Sequence, residues 1–292
     1  MVKTTRPSRS PLAETFTVAL SEAAEMLVSV RLVFLLAVYG GAGGLVGYMW
    51  ESIDASNEGQ LRALSEKTAT LTEQERVDAM AEMVDKGGPA IEMVGSVLLD
   101  PQLPPMAMLV LQITSWLLPL LILLVGYNRI AEDIERRYTR YIMQRVHRGS
   151  YLSGKIIGHA LVCLAAVIVV QLVWLLLCTF FDLYGADRMW TAAPRIWLGM
   201  VVFVFAYSAY TMMVSTIFGR PMTALLLGAM GMYAVWIGVN MASFVWTPLV
   251  RLWLSAWYPA LWRLDPAGYV VFLAYGLAFI LMAHLVFRRG DL

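Results

Sequence analysis

Residues 127–159 read YNRIAEDIERRYTRYIMQRVHRGSYLSGKIIGH and separate two long apolar runs, at 106–127 and 156–181. Each run has the length of about 20 residues that a helix needs to cross a bilayer. The polar segment between them is short and rich in charge. This contrast predicts two membrane-spanning helices that are joined by a structured segment on one side of the membrane.

The polar segment itself has helical periodicity. Ile130, Ile134 and Tyr138 recur every four residues and predict one apolar stripe. Acid-then-base pairs at i,i+4 support a helix by a few tenths of a kcal/mol each. Two such pairs occur here, Glu132–Arg136 and Asp133–Arg137. We therefore predict an amphipathic helix at 129–148 that another protein can bind.

Composition extends the membrane interpretation to the rest of the chain. Its 292 residues are 59% hydrophobic and 15% charged, and the mean hydropathy is +0.66, outside the range of soluble proteins. The predicted class is all-α, a polytopic membrane protein with six transmembrane helices within 32–292. These spans lie at 32–50, 106–127, 156–181, 195–218, 222–246 and 267–287.

The distribution of basic residues predicts the orientation. Of the 22 Lys and Arg residues, 14 fall in the N-terminal segment, the 128–155 segment, the loop at Arg220 and the C-terminal end. Bases in short loops mark the cytoplasmic side, so both termini are expected there. The segment 51–105 carries 11 acidic and four basic residues, and we expect it to form a small helical extracytoplasmic domain.

The N-terminal segment, 1–31, has the pattern of a surface helix. Ser10 and Pro11 form an N-cap followed by proline at the first helical position. Phe16, Leu20 and Leu27 then share one face. We predict an amphipathic helix along the inner membrane surface that bends into the first span. A helix packed on a soluble partner is the alternative.

Small residues in the first span predict close helix packing. Gly40/Gly44 and Gly43/Gly47 both satisfy the small-xxx-small pattern, which lets helix backbones approach each other. Packing within the chain and dimerisation explain this pattern equally well.

Aromatic residues mark the segment 247–266, which Pro248, Pro259 and Pro266 interrupt too often for a span. Aromatic belts occur at membrane interfaces, so we expect interfacial or re-entrant helices at the outer leaflet. They would seal an outer gate, contact a substrate or act as a plain anchor. The aromatic residues are Trp253, Trp257, Tyr258 and Trp262.

Catalytic motifs are absent or incomplete in the sequence. Gly149–Lys155 matches the G-x-x-x-x-G-K pattern of a phosphate-binding loop, but the next residue is Ile156 instead of Ser or Thr, and no strand is predicted before it. The three histidines are dispersed, so no metal site is predicted. We expect neither a cofactor nor an ATP site on this chain, no enzyme activity of its own and no nucleic-acid partner.

Three short stretches resemble the permease subunit of an ABC exporter of the type-2 class. Residues 25–31, EMLVSVR, resemble its E-L-x-x-x-x-R pattern before the first span. Residues 130–140 followed by 154–158 resemble I-x-x-E-x-E-x-G-T-L and G-K-x-x-G. The end at 287–292, FRRGDL, resembles F-x-R-R-D-L. Arg137 stands where the pattern has glycine, from which we expect the 129–148 helix to run longer than usual.

The resemblance implies a transport subunit that a separate cytoplasmic ATPase drives, with ATP and Mg²⁺ bound by that partner. Two permease copies, identical or homologous, would complete the complex in a bacterial inner membrane. The ATPase would dock on the 129–148 helix and on the N-terminal surface helix. The alternative function is a non-transporting scaffold whose 51–105 loop recruits an extracytoplasmic protein. The candidate coupling residues are Glu132, Asp133, Glu135, Arg136, Arg137 and Arg140.

Overall fold

The computed structural model describes residues 10–45, 105–142, 144–180, 186–243, 257–262 and 265–289. Within these ranges the secondary structure is helical and contains no strand, which confirms the all-α class. The predicted domain at 51–105, except for its last residue Pro105, lies outside the described residues, as do Gly47 and Trp253. We number ten helices: α1 Pro11–Leu27, α2 Val30–Leu45, α3 Pro105–Gly126, α4 Ala131–Glu135, α5 Tyr138–Ile142, α6 Arg148–Phe180, α7 Ala186–Ile217, α8 Pro221–Ser243, α9 Tyr258–Trp262 and α10 Pro266–Arg289.

The described parts of the six predicted spans fall on helices, but fewer of these helices meet the requirements of length and apolar composition. Four stretches of the described chain do so: Ile113–Glu135, Arg148–Phe180, Met189–Ile217 and Pro266–Arg288. The pair α1 and α2, bent by 66°, adds a fifth if it counts as one broken span. The described part of the chain therefore holds four or five candidate spans, as expected of a protein that crosses a membrane several times.

The bend between α1 and α2 lies at Val28 and Ser29. The Ser29 hydroxyl donates to the carbonyl of Met26 at 2.8 Å and accepts from the amide of Leu32 at 3.3 Å. One side chain thus ends α1 and begins α2. Ser10 caps the start of α1, where its side chain accepts from the Ala13 amide, and Pro11 takes the first helical position. This N-terminal cap confirms the sequence prediction.

Helix α6 begins eight residues before the predicted span. Its 33 residues are about 50 Å long at ~1.5 Å per residue, whereas the hydrocarbon core of a bilayer is about 30 Å thick. Part of α6 therefore lies outside the hydrocarbon. Its first two turns carry Tyr151 and Lys155 on the same rigid helix as the span.

The 129–148 segment is not one helix, and the expectation of a longer helix is wrong. α4 ends at Glu135, and α5 starts at Tyr138. Arg137 between them has φ of 57°, the left-handed conformation that glycine adopts without steric cost. The stripe is consequently divided, because Ile130 is buried whereas Tyr138 is exposed.

Arg137→Gly should stabilise the protein. A left-handed non-glycine residue costs about 1–2 kcal/mol, and the greater freedom of glycine in the unfolded chain offsets about 0.5–1 kcal/mol of that gain. We expect a net increase of about 0.5–1 kcal/mol in the free energy of unfolding, measured by thermal unfolding in detergent. Arg137→Ala is the control, since it removes the side chain but keeps the steric cost. Equal stability of both variants would contradict the backbone explanation.

The described chain folds as two compact units. The described residues of the first fall within 1–36, 118–168 and 199–292, and those of the second fall within 37–117 and 169–198. In the first unit, the ring of Phe203 on α7 contacts Tyr258 and Trp262 on α9 and Phe272 on α10, with centroids 5.5–5.9 Å apart. These rings form a buried aromatic core.

In the second unit, the Trp174 indole donates to the Gly43 carbonyl at 3.0 Å, which ties α6 to α2.

Candidate functional site

The N-terminal helix docks on α6 at two glycines. A Cβ atom added to Gly154 would lie 2.6 Å from Cβ of Val18 and 2.8 Å from the Thr15 carbonyl oxygen. A Cβ atom added to Gly158 would lie 2.6 Å from the Ala19 carbonyl oxygen. Both glycines are on one face of α6, at i and i+4, so they allow the α1 backbone to approach as larger residues could not.

This close approach buries a carboxylate. Glu22 is 3% exposed, and its two oxygens lie 3.3 Å from Nε of Arg129 and 3.3 Å from Nζ of Lys155. The Arg129 contact is an ion pair without hydrogen-bond alignment, because neither of its two atoms has a hydrogen-bond partner. Burial raises the pKa of Glu22 above its usual range, and the charges of Lys155 and Arg129 oppose this rise.

Lys155 joins three parts of the chain. Its Nζ lies 2.7 Å from the Asp133 carboxylate on α4, and it donates to the Arg129 carbonyl at 2.6 Å. The Tyr151 hydroxyl, one turn earlier on α6, also donates to Asp133. We call these five residues (Glu22, Arg129, Asp133, Tyr151 and Lys155) the charged junction. It connects α1, the start of the 129–148 segment and α6.

A second contact joins α4 to α7. The backbone amides of Ile130 and Ala131 both donate to the hydroxyl of Ser215, at 3.1 and 3.0 Å. Gly219, in the turn between α7 and α8, would place a Cβ atom 3.5 Å from the side chain of Ile134. α4 is therefore attached both to the charged junction and to the end of α7.

The six predicted coupling residues occupy different environments. Asp133 points into the charged junction and pairs with Lys155 instead of the predicted Arg137. Glu132 makes the predicted ion pair with Arg136, at 2.6 Å. Its carboxylate also accepts a hydrogen bond from the side-chain amide of Asn128 at 2.6 Å. Three further side chains of this set are exposed: Glu135, Arg136 and Arg137. The Arg140 side chain lies outside the described part of the structure.

Of the predicted packing glycines, Gly40 and Gly43 lie against side chains of α6, whereas Gly44 does not. A Cβ atom on Gly43 would lie 3.4 Å from Trp174, and one on Gly40 would lie 3.9 Å from Val170. Among the described residues, nothing lies within 4 Å of the corresponding position on Gly44. The α2 face that contacts α6 is thus Gly40 and Gly43.

Two of the predicted interfacial aromatics are core residues. Tyr258 and Trp262 are buried in the aromatic core of the first unit, and the Tyr258 hydroxyl bonds to that of Tyr207. Trp257, the residue before α9, is partly buried. Burial places the Tyr258 and Trp262 rings inside the protein rather than against lipid headgroups.

Sequence reasoning missed Glu22, Arg129, Tyr151 and Lys155. A signal was present, because the G-K-x-x-G stretch at 154–158 contains both docking glycines and Lys155. The same lysine ends the apparent phosphate-binding pattern, and in the structure it pairs with carboxylates. In the described ranges, no group of three or more His, Cys, Asp or Glu side chains is arranged to hold a metal ion.

Comparison with protein families agrees with this architecture. The family model described as ABC-2 family transporter protein matches residues 16–253. The matched range runs from α1, through the charged junction, to the segment after α8. A comparison with curated proteins found no match. Since the family match covers most of the 292 residues, the chain belongs to the ABC-2 transporter family and is a transmembrane permease of that type.

Proposed function

We propose that this chain is the permease subunit of an ATP-driven transporter and that a separate ATPase subunit binds ATP and Mg²⁺. The permease moves a substrate across or out of a bacterial inner membrane, and a second permease copy or homologue completes the pathway. The observation that carries the proposal is the charged junction. It links the polar 129–148 segment to the spans through ion pairs that are buried or partly buried, in a chain of the ABC-2 family.

The exposed side of α5, together with the turn that precedes it, has the composition of a binding surface. Tyr141 is 69% exposed, and Tyr138, Arg136 and Arg137 are exposed beside it. Tyrosine and arginine are enriched among the residues that contribute most to protein–protein binding energy. We call these four residues the coupling surface. In our proposal it contacts the ATPase, while the buried side of the same segment contacts the permease.

The contacts of α4 can transmit a displacement of the coupling surface to the spans. It reaches α6 through the ion pair between the Asp133 carboxylate and Nζ of Lys155, which are 2.7 Å apart. It reaches α7 through the two amides bonded to Ser215. Because buried ion pairs and packed helices move as units, closure of the ATPase would shift α6 and α7 together. This rigid-body coupling is the mechanism that we propose for switching access to the substrate.

Arg136→Glu should weaken ATPase binding without unfolding the permease. The Arg136 side chain is 74% exposed and makes one surface pair, with Glu132, so we expect its replacement to change stability by less than about 1 kcal/mol. A reversed charge at an interface should lower the affinity for the ATPase at least about tenfold, equivalent to about 1.4 kcal/mol. The measurement is the amount of ATPase that co-purifies with the tagged permease across a range of salt concentrations.

Arg288→Glu is the matched control for that experiment. Arg288 is also exposed, on α10 outside the coupling surface, and the charge change is the same. We expect it to keep the wild-type level of ATPase, whereas Tyr141→Ala should reduce that level as Arg136→Glu does. Undiminished binding in both coupling-surface variants would place the ATPase contact elsewhere on the permease.

A further inference from the structure

One arginine at the start of α2 takes no part in the charged junction. The guanidinium carbon of Arg31 lies 4.9 Å from the centroid of the Tyr127 ring, within the distance of about 6 Å for a cation–π contact. Both side chains are partly buried. The ring fixes the position of the guanidinium without neutralising its charge.

No carboxylate among the described residues neutralises Arg31. The two acidic residues nearest to it in the chain, Glu22 and Glu25, both pair with Arg129, at 3.3 and 3.7 Å. The other ion pairs of the described chain involve different bases. A partly buried charge without a partner is unfavourable, so Arg31 is suited to bind an anion from outside the chain.

The surface around Arg31 is apolar. Five residues within four positions of it are apolar and 47–87% exposed: Leu27, Val28, Val30, Val33 and Phe34. Exposed apolar patches mark sites that contact membranes or proteins. A small soluble anion would leave this surface uncovered, whereas a phospholipid carries the anion and the hydrocarbon in one molecule.

The position of Arg31 in the fold matches the headgroup level of a bilayer. Arg31 is the second residue of α2, and Tyr127 directly follows the last residue of α3. Both therefore lie at the end of an apolar helix. Tyrosine is enriched at this boundary. The long arginine stem can stay in the apolar layer while its charged group reaches the phosphates.

We propose that Arg31 and Tyr127 bind the headgroup of a phospholipid in the leaflet where α2 begins. The guanidinium donates hydrogen bonds to the phosphate oxygens, which its planar fork of N–H groups can do in pairs. The acyl chains pack along Val33 and Phe34. This site goes beyond the proposed transport function and does not depend on it, because the isolated permease binds the lipid without ATP or a partner.

The test uses dioleoyl phosphatidylglycerol as the probe. The full chain is purified in a neutral detergent, freed of lipid and titrated with the probe, and native mass spectrometry measures the dissociation constant of the tightest site. Dioleoylglycerol has the same acyl chains but no phosphate, so we expect it to bind much more weakly. Inorganic phosphate should not displace the probe, since it lacks the acyl chains.

Three variants test the two residues. Arg31→Gln should weaken binding of the probe about fivefold, because one positive charge near the lipid is lost. Tyr127→Leu keeps that charge but removes the aromatic face, and it should weaken binding about two- to threefold. Arg31→Lys keeps the charge and loses the planar fork, so its affinity should lie between those of the wild type and Arg31→Gln.

Arg288→Gln is the matched control. Arg288 is an exposed arginine at the end of another long apolar helix, and the loss of charge is the same. This variant should bind the probe like the wild type.

Thermal unfolding separates lipid binding from a purely structural role of Arg31. Phosphatidylglycerol should raise the melting temperature of the wild type and of Arg288→Gln, and it should raise that of Arg31→Gln much less. A purely structural role would lower the melting temperature of Arg31→Gln by the same amount with and without lipid.

Four outcomes of the titration would overturn the proposal. Equal affinities of Arg31→Gln and the wild type would show that the lipid binds elsewhere. Equal weakening in Arg288→Gln would indicate a general attraction of lipid to basic groups. Binding of dioleoylglycerol as tight as that of the probe would show that the phosphate is not recognised. Displacement of the probe by inorganic phosphate would identify a site for a free anion instead of a lipid.

Discussion

Lys155→Met should destabilise the permease by about 3 kcal/mol. The substitution keeps most of the apolar stem but removes the charge that neutralises Glu22 and Asp133. Breaking a buried ion pair by removing one partner costs about 3–5 kcal/mol. The lower end of this range applies because the Asp133 side chain is 21% exposed and keeps some contact with water. Thermal unfolding of the purified protein measures the loss.

The pH dependence of this loss identifies its cause. Burial already raises the pKa of Glu22, and removing the nearby positive charge of Lys155 should raise it further. A protonated Glu22 is neutral and needs no counterion. The stability difference between Lys155→Met and the wild type should therefore be full at neutral pH and become smaller as the pH falls into the range where the carboxylates are protonated.

Two further variants control the Lys155 experiment. Arg136→Met removes an exposed positive charge and should change stability by no more than about 1 kcal/mol. Adding Glu22→Gln to Lys155→Met should restore part of the loss, because one of the unpaired carboxylates is gone. A Lys155→Met protein as stable as Arg136→Met would show that the charged junction does not hold α1 in place.

Gly158→Ala should detach the N-terminal helix from α6. The new Cβ atom would lie 2.6 Å from the Ala19 carbonyl oxygen and 2.9 Å from Cβ of Glu22. Backbone atoms cannot move aside without the whole helix, so α1 must shift outward. Overpacking of this kind costs about 1–3 kcal/mol, and the shift also lengthens the ion pairs of Glu22. Hydrogen exchange of the α1 amides should become faster, since it reports local opening.

Gly149→Ala is the matched control on the same helix. Among the described residues, nothing lies within 4 Å of a Cβ atom added to Gly149. Alanine is a better helix former than glycine by about 1 kcal/mol, so this variant should be as stable as the wild type or more stable. If Gly158→Ala also proved neutral, with unchanged exchange in α1, the close approach of α1 and α6 would not matter for docking.

Local sequence signals account for much of the fold. Ser10 and Pro11 predicted the start of α1 because a cap depends only on adjacent residues. Apolar runs predicted where the long helices lie, since a bilayer selects length and composition. The Glu132–Arg136 pair was also predictable, because i,i+4 neighbours meet on any helix. The same local reasoning failed at Arg137, which adopts the left-handed conformation of the glycine that the family pattern has at this position, although arginine itself does not favour it.

The sequence by itself determined the class of protein, an all-helical membrane chain with a polar segment between apolar runs, because hydropathy and periodicity act over short distances. Only the tertiary structure decided which charges face inward. Glu22 and Lys155 are far apart in the chain and meet only where Gly154 and Gly158 let α1 approach α6. The tertiary structure likewise directs the Asp133 side chain toward Lys155 in the charged junction. It leaves the Arg136 side chain exposed to solvent. Such pairings depend on how helices pack, and packing joins residues that no local pattern connects.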